Sequence, residues 1–426
     1  MAVPKLRFKE FDENWKEVTL KNCITSIDSG WSPQCESYPA NSSEWGVLKT
    51  TSVDWSGFNS SFNKKLPLEL TPRKEIEVKP LDILVTRAGP TERVGVVSVV
   101  PHSVRSKLMI SDKLIRLKSN EENNPLFLGI SLSSVKCQNQ LQSKTSGLAK
   151  SQTNISQKIL GEVLLKLPSK EEQTKIASFL SAVDEKISQL TKKHELLSQY
   201  KQGMMQKLFS QQIRFKADDG SEFGEWEEVK FSDIFNFHQT NSYSRALLAE
   251  HGEIMNIHYG DIHTKFSMLF DVTKEPVPFL NDEVDTSKIT NEQFLKVGDL
   301  VIADASEDYK DIGKAIEVIS LNNQKVVAGL HTYIARPVKL FALGFCGYMM
   351  QTFPVREQIK KLATGISVLG ISKTNLGKLE LKVPFLEEQT KIANFLSAID
   401  QKIEVVAQQI EQAKQWKKGL LQQMFV

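Results

Sequence analysis

A few side chains in the first half of the chain have types and spacing that could support hydrolytic chemistry. Asp54 precedes Glu77 and Lys79, which loosely matches the D…ExK arrangement that holds a catalytic metal in some nucleases. Phe294 stands where the second half of the chain would need a counterpart of Glu77, so the pattern is not repeated. Because the match is loose and is not repeated, a metal-dependent nuclease is only an alternative interpretation.

Other catalytic and metal-binding signatures are absent from the sequence. It contains no phosphate-binding GxxxxGK(S/T) loop, no GxGxxG turn, no HExxH, no GxSxG and no (D/N/S)PP(Y/F) tetrad. His258 and His263 are five residues apart, which is not a convincing ligand spacing. The cysteines form no CxxC pair, which argues against a zinc site or a disulfide framework and favours a reduced, cytoplasmic setting. We predict no catalytic residue, no metal and no cofactor.

Length and charge limit the possible functions. The 426 residues suggest two or three domains, and no apolar run approaches the roughly 18 residues of a membrane span. The net charge is +3; residues 24–165 hold 17 Lys/Arg and 13 Asp/Glu, and residues 237–380 hold 15 and 17. A free-standing DNA-binding protein usually has a stronger basic bias. Either the basic residues cluster on one face, or a partner supplies much of the phosphate contact.

The sequence contains an internal repeat. Residues 171–187 return at 387–403 with 14 of 17 positions identical, an offset of 216 residues. The starts of the two copies, at residues 7–20 and 214–231, also resemble each other. Because the ends of the copies are kept while their middles differ, the repeat predicts one structural frame that carries two different specificities.

A long helix is predicted at the end of each copy. Apolar residues recur at alternating steps of three and four from residue 171 to 209 and again in the second copy, as in a heptad repeat. The predicted seam residues are Ile176, Leu180, Val183, Ile187, Leu190, Leu197, Ile392, Leu396, Ile399, Ile403, Val406 and Ile410. We predict that the two helices pair with each other as an antiparallel coiled coil. The alternatives are that each packs on its own domain or on a second chain.

Details of the helices suggest further contacts. Ser169 and Glu172 have the spacing of a capping box. Lys201 and Lys417 occupy matching seam positions. Either they fix the register in which the helices pair, or their aliphatic parts cover the seam while the charged groups stay in water. Gly203 and Gly419 also match, which predicts close backbone approach at these points.

The predicted fold class is α+β, with two tandem pseudo-symmetric modules. Each module is a mixed α/β domain followed by a long helix. Short β-branched runs between Gly, Pro and Asn predict the strands, and residues 131–143 and 348–363 each predict one helix. We place the first domain at residues 1–167 and its helix at 168–210. The second domain is placed at 211–383 and its helix at 384–426.

The chain resembles the DNA-specificity subunits of type I restriction–modification systems. The most specific match is P-x-x-x-E-Q-x-x-I-A-x-F-L-S-x-x-D-x-K-I, at residues 168–187 and 384–403. The second is the strand before a loop, KPLDILVTRAG and KVGDLVIADAS, and the likeness covers essentially the whole chain. The resemblance implies two target-recognition domains that read the halves of a bipartite, asymmetric site in double-stranded DNA, separated by the helices.

The resemblance also implies partners. Two DNA adenine-methyltransferase subunits would dock on the chain, restriction subunits would join that complex, and the chain itself would bind no cofactor and do no chemistry. The alternative is a scaffold or decoy that binds the methyltransferase without reading DNA.

By the same resemblance, loops after the matched strands face DNA. In the first module the expected contacts are Lys49, Thr50, Thr51, Arg87, Arg93, Lys113, Lys144, Thr145, Ser146 and Gln152. Arg87 is the first choice, because arginine bound to guanine is the commonest base-specific contact. In the second module they are His258, Tyr259, Asp304, Ser306, Tyr309, Lys310, Lys314, His331, Tyr333, Thr364 and Ser367. Asp304 stands in place of Arg87 and could accept from cytosine or could shape its loop.

Overall fold

The computed structural model of the chain describes residues 4–145 and 153–425. The chain forms two compact units, one of Met1–Thr191 with Gln408–Val426 and one of Lys192–Ala407. Within the described residues, no helix is both long enough and apolar enough to cross a lipid bilayer.

The first unit is a mixed α/β domain. Its strands are β1 (Lys16–Thr19), β2 (Ile24–Ser29), β3 (Gly46–Leu48), β4 (Val53–Asp54), β5 (Gly57–Phe58), β6 (Asn63–Lys65), β7 (Ile83–Thr86), β8 (Ala88–Gly89), β9 (Val97–Val99), β10 (Leu108–Met109), β11 (Leu114–Ser119), β12 (Thr153–Asn154) and β13 (Leu164–Leu167). Its helices are α1 (Pro125–Leu132), α2 (Val135–Ser143), α3 (Gln157–Gly161) and the first part of α4 (Lys170–Phe209). The central sheet has the order β2-β11-β7-β9, a second has the order β10-β3-β6, and β1 pairs with β13.

The second unit repeats this plan. Its strands are β14 (Glu227–Lys230), β15 (Phe235–His238), β16 (Leu248–Ala249), β17 (Ile254–Ile257), β18 (Leu269–Asp271), β19 (Phe279–Leu280), β20 (Leu300–Ala303), β21 (Ala305–Ser306), β22 (Ala315–Ser320), β23 (Lys325–Ala328), β24 (Thr332–Pro337), β25 (Leu369–Gly370) and β26 (Glu380–Val383). Its helices are α5 (Phe231–Ile234), α6 (Tyr259–Thr264), α7 (Phe345–Met350), α8 (Phe353–Leu362), α9 (Lys373–Gly377) and α10 (Leu386–Met424), whose end belongs to the first unit. The central sheet has the order β15-β24-β20-β22-β18, and β14 pairs with β26.

A buried carboxylate at the start of α4 fixes this helix to the first domain. Arg7 donates from Nε and Nη2 to the two oxygens of Glu172, at 2.8 and 2.7 Å, and Trp15 Nε1 donates to the same carboxylate at 3.4 Å. Ser169 Oγ accepts from the Glu172 backbone N–H at 3.4 Å, which is half of the predicted capping box. The other half is missing, because the Glu172 carboxylate binds Arg7 instead.

The second unit contains the same clamp at the start of α10. Arg214 donates to Glu388 from Nε at 3.1 Å and from Nη2 at 2.7 Å, and Trp226 Nε1 donates to it at 3.1 Å. The next residue, Gln389, donates to Pro384 O at 2.9 Å and accepts from Ala342 N–H at 3.1 Å. The E-Q pair of the repeated motif is therefore buried and serves the frame of its own domain.

Each unit pairs the first part of one long helix with the last part of the other, so the two helices are antiparallel. In the first unit Lys417 binds Asp184 at 2.5 Å, and in the second Lys201 binds Asp400 at 2.6 Å. The two ion pairs are equivalent under the offset of 216 residues, so each lysine binds the corresponding aspartate of the other long helix. The predicted coiled-coil pairing is confirmed, and all twelve predicted seam residues are buried or half-buried.

The prediction of close backbone approach at Gly203 and Gly419 is wrong. A methyl group added at either glycine would meet no atom of the described residues within 4 Å. Both glycines lie on open faces of their helices.

The prediction of one helix for each of residues 131–143 and 348–363 is also wrong, because each segment is broken in two. Ser134 has an extended backbone (φ −65°, ψ 149°), and its Oγ accepts from the Cys137 N–H, which begins α2 as a new helix. Thr352 has the same backbone conformation before α8. Ser134 and Thr352 are therefore each the N-cap residue of a new helix, but only Ser134 caps through its side chain, because Thr352 Oγ1 donates to Met349 O at 2.7 Å instead.

Glu317 is a buried carboxyl in the centre of the second unit. Its two oxygens accept from the N–H groups of Gly344 at 2.7 Å and Gly347 at 2.6 Å, at the start of α7. Burial raises the pKa of Glu317 to about 7, against the opposing effect of these backbone donors.

This carboxyl makes the stability of the second unit depend on pH. Between the unfolded pKa of 4.5 and about pH 7, native Glu317 keeps a proton that the unfolded chain has lost. The free energy of unfolding therefore falls as pH rises through this window, by about 3 kcal/mol in total. Denaturant unfolding from pH 4.5 to 7.5 should show this slope in the native protein and a flatter one in Glu317→Gln. An equal flattening in Glu380→Gln, an exposed control, would contradict the assignment.

The clamp predicts a large and selective loss of stability. Glu388→Gln leaves the Arg214 guanidinium largely buried without its counter-charge, and we expect a loss of about 3–5 kcal/mol. Glu387→Gln removes the adjacent, exposed carboxylate and should cost less than about 0.5 kcal/mol. Chemical denaturation of the two variants measures the difference, and equal losses would contradict the role of the clamp.

Candidate nucleic-acid interface

In the first unit, a two-stranded ribbon follows the central strand β7. Thr153 pairs with Gly89 and Asn154 with Ala88, so β8 and β12 lie side by side. Arg87 stands at the entrance of this ribbon, where its backbone N–H donates to Lys113 O at 2.8 Å. Two predicted DNA contacts, Arg87 and the exposed Lys113, are therefore neighbours at the end of the sheet.

Arg93 has a different environment from Arg87. Its Nη1 donates to Asp54 at 2.5 Å, and its Nη2 donates to Val53 O at 2.8 Å and Thr50 O at 3.4 Å. These bonds hold the β4–β5 hairpin, so Arg93 supports Thr50 rather than extending into solvent. The second carboxylate of the nuclease-like pattern, Glu77, binds Lys79 at 2.5 Å. No three His, Cys, Asp or Glu side chains converge as a metal site in the described parts of the chain.

The remaining predicted contacts of the first unit are spread over two segments. Lys49 and Thr51 lie on the turn between β3 and β4, half-buried and exposed respectively. Lys144 and Thr145 follow α2, where Thr145 Oγ1 donates to Gln142 O at 2.9 Å. Two further predicted contacts, Ser146 and Gln152, lie outside the described residues.

The second unit carries the equivalent ribbon after β20. Ala305 pairs with Gly370 and Ser306 with Leu369, which joins β21 to β25. Ser306 is buried, and its Oγ accepts from Asp308 N–H at 3.0 Å, so it shapes the loop. The predicted contacts on the exposed surface of this ribbon and its loops are Tyr309, Lys310, Thr364 and Ser367.

Three histidines surround Tyr259 beside the ribbon. The ring centroid of Tyr259 lies 4.6 Å from that of His258, 5.7 Å from His263 and 5.4 Å from His331. Nδ1 of His258 lies 3.1 Å from both the Gly260 N–H and Arg245 Nη2. Burial, and then the charge of Arg245, lower the pKa of His258. Three of the predicted contacts, His258, Tyr259 and His331, thus form one cluster, which His263 joins.

Asp304 connects this cluster to β24. It contacts Nδ1 of His331 at 3.2 Å and lies near the Tyr333 side chain. Burial, and then the carboxylate of Asp304, raise the pKa of Tyr333 to about 12. Lys314 Nζ donates to His263 O at 2.5 Å, which ties the loop after β21 to α6.

The sequence model described as Type I restriction modification DNA specificity domain matches residues 35–198 and 224–415. The chain belongs to this family. It is 40% identical over 171 residues to the EcoEI specificity subunit of Escherichia coli, a match to 40% of this chain and only 29% of that subunit. It is 27% identical to the MjaVIII specificity subunit of Methanocaldococcus jannaschii, over 82% of this chain and 79% of the relative.

The fold of the specificity-subunit family is also found in a solved structure. The S subunit of the type I restriction–modification system from M. genitalium matches with a TM-score of 0.60 at 16% identity, covering 100% of this chain and 99% of that chain. The chain is therefore a type I DNA-specificity subunit with two recognition domains, and the family resemblance seen in the sequence is confirmed.

Two side chains that the sequence did not single out hold loops of this specificity subunit that lie beside the predicted DNA contacts. In the first unit Gln138 on α2 donates to Gly95 O at 2.9 Å. In the second unit Arg356 on α8 donates from Nη2 to Lys310 O at 2.9 Å and to Ile312 O at 2.6 Å. Ser134, the N-cap residue of α2, lies four residues before Gln138, and Thr352, the N-cap residue of α8, lies four residues before Arg356. This shared spacing could have revealed that Gln138 and Arg356 are equivalent.

Arg356 should affect recognition through the loop that it holds. Arg356→Met removes the two hydrogen bonds to the carbonyls of Lys310 and Ile312, in the loop that carries Tyr309. We expect roughly tenfold weaker binding of the DNA half-site that the second domain would contact. The first half-site should be bound as before. Lys361→Met, on the same helix and exposed, controls for loss of positive charge. Binding to duplexes mutated in one half-site at a time measures the effect, and uniform weakening at both would argue against it.

Proposed function

We propose that this specificity subunit reads a bipartite, asymmetric site in double-stranded DNA. Each recognition domain contacts one half-site, and the paired helices set the length of the unread spacer. A helix of about 40 residues spans roughly 60 Å, so helix length converts into base-pair spacing. The domain limits at residues 167, 210 and 383 are part of this proposal.

The proposal rests on one observation: the two units share the same structural frame, whereas their loops differ. Both units have the same clamp at the helix start and the same ribbon at the end of the central sheet. At the entrance of the ribbon, however, one unit has Arg87 and the other has Asp304. Base edges are read by such side chains, so two domains with different ribbons would read two different sequences.

We further propose that two adenine-methyltransferase subunits dock on the repeated helix surfaces, and that restriction subunits join through them. Identical residues lie exposed at equivalent positions, such as Lys186 and Lys402. Large aromatic side chains, Tyr200 and Trp416, are also half-exposed at equivalent positions. Two equivalent surfaces on one chain suit two copies of one partner.

In this proposal the subunit itself does no chemistry. Asp54 and Glu77 each bind a cationic side chain, which argues against a nuclease centre. The four thiols of the chain, on Cys23, Cys35, Cys137 and Cys346, are free, as suits the reducing cytoplasm in which cellular DNA would be methylated.

Mapping methylated adenine in cellular DNA tests the function. Cells that hold the methyltransferase should gain a bipartite methylated motif only when this chain is present, because the chain supplies the specificity. Unchanged methylation with an assembled complex would contradict the proposal and favour the decoy.

The same map distinguishes the two domains. Arg87→Ala should relax the motif in one half only, since the second unit and the spacer are untouched. Lys118→Ala, an exposed cation on β11, serves as the matched control. Loss of both halves in Arg87→Ala would mean that the residue supports assembly rather than reading.

A further inference from the structure

Both the side chain and the backbone of Asp304 make contacts within the second domain. Its carboxylate contacts Nδ1 of His331 at 3.2 Å, and its backbone N–H donates to His331 O at 3.1 Å. The Asp304 side chain is 20% exposed, whereas that of His331 is 48% exposed. The residue that reaches solvent at this point is therefore His331, and Asp304 lies behind it.

His331 is held in one orientation. Its backbone lies in the left-handed region, with φ 57°, which is uncommon for a residue with a side chain. The edge of its ring meets Tyr259 at a centroid distance of 5.4 Å, and its Nδ1 and carbonyl both contact Asp304. Such local strain is maintained when the surroundings fix it, and it concentrates at functional positions.

The contact between Asp304 and Nδ1 determines the hydrogen-bonding character of the other ring nitrogen of His331, Nε2. An ionised carboxylate only accepts, so Nδ1 of His331 carries the proton that is donated to it. In a neutral imidazole the other nitrogen, Nε2, is then an acceptor. In the DNA major groove the donors that such an acceptor can read are the exocyclic amino groups of adenine and cytosine.

We propose that His331 reads the second half-site by accepting a hydrogen bond from the amino group of an adenine or a cytosine, and that Asp304 positions it. The inference rests on the proposed function and assigns a base chemistry to one of its two domains. In the first unit the equivalent backbone contact joins Arg87 and Lys113, at 2.8 Å, and both of these side chains are donors. The two half-sites would thus be read with opposite hydrogen-bond polarity.

The test uses the complete complex with its methyltransferase and duplexes in which one base pair of the second half-site is varied at a time. At one base pair, His331→Ala should lose roughly tenfold or more of the native preference for adenine or cytosine on one particular strand. Removing that amino group from the DNA, with purine for adenine or 2-pyrimidinone for cytosine, should weaken the native protein and leave His331→Ala unchanged. Which analogue acts identifies the base. His251→Ala, an exposed histidine in the same unit, is the matched control.

Asp304→Asn tests the positioning role separately. The asparagine amide can accept from Nδ1 through Oδ1 or donate to it through its NH2 group, so the imidazole proton is no longer confined to Nδ1 and Nε2 can also donate. Preference at the same position should then broaden to include the acceptors of guanine or thymine, a gain that mere loosening of the loop would not produce.

Two results would overturn the inference: one refutes only the role of His331, and the other also refutes the proposed function. Unchanged preference at every position in His331→Ala and Asp304→Asn, with the first half-site still recognised, refutes the role of His331 alone. Absence of any bipartite preference in the native complex refutes the proposed function as well. Recognition of the first half-site by each variant also verifies that the variant is folded.

Discussion

The buried pairing of an arginine with the first-turn glutamate of each long helix is the constraint on which the rest of the structure depends. Glu172 and Glu388 are almost completely removed from solvent, and a carboxylate in that position is stable only when it is fully bonded. The bidentate arginine and the indole N–H supply those bonds. The clamp fixes the direction in which each helix leaves its domain, and negative charge near a helix N-terminus is itself favourable.

This constraint explains why the sequence repeats where it does. Five positions of the shared helix segment face the interior of their own units, so their types depend on one another. They are Glu172, Gln173, Ile176, Ala177 and Leu180, with Glu388, Gln389, Ile392, Ala393 and Leu396 as their equivalents. Part of the identity that could be attributed to a shared partner is thus required by the fold. The ribbons and their loops are free of that requirement, and they are where the two halves of the chain diverge.

The sequence predicted the features that come from local periodicity and missed those that depend on distant contacts. The heptad pattern located the first long helix, predicted over residues 171–209, to within a residue of Lys170–Phe209, and the repeat indicated the second, Leu386–Met424, which was placed at residues 384–426. The clamp joins Arg7 to a residue 165 positions away, and nothing local to either side chain indicates it. The helix breaks at Ser134 and Thr352 were missed because each residue lies inside a segment of helical length, and the break depends on an extended backbone at that one position. Gly203 and Gly419 were misread because a matching glycine indicates a shared feature without saying which one.

The charge of the second unit follows from how its polar residues are used. Arg245 contacts Asp261 at 3.0 Å and Arg336 contacts Asp299 at 2.8 Å, so these cations neutralise carboxylates within the domain. The charge that such residues could offer to phosphates is reduced, because counterion release depends on cations that reach the backbone. A domain of this composition gains specificity from fixed polar groups more readily than affinity from charge. That balance suits a reader that binds DNA as one component of a larger complex, since the other components can supply the phosphate contacts.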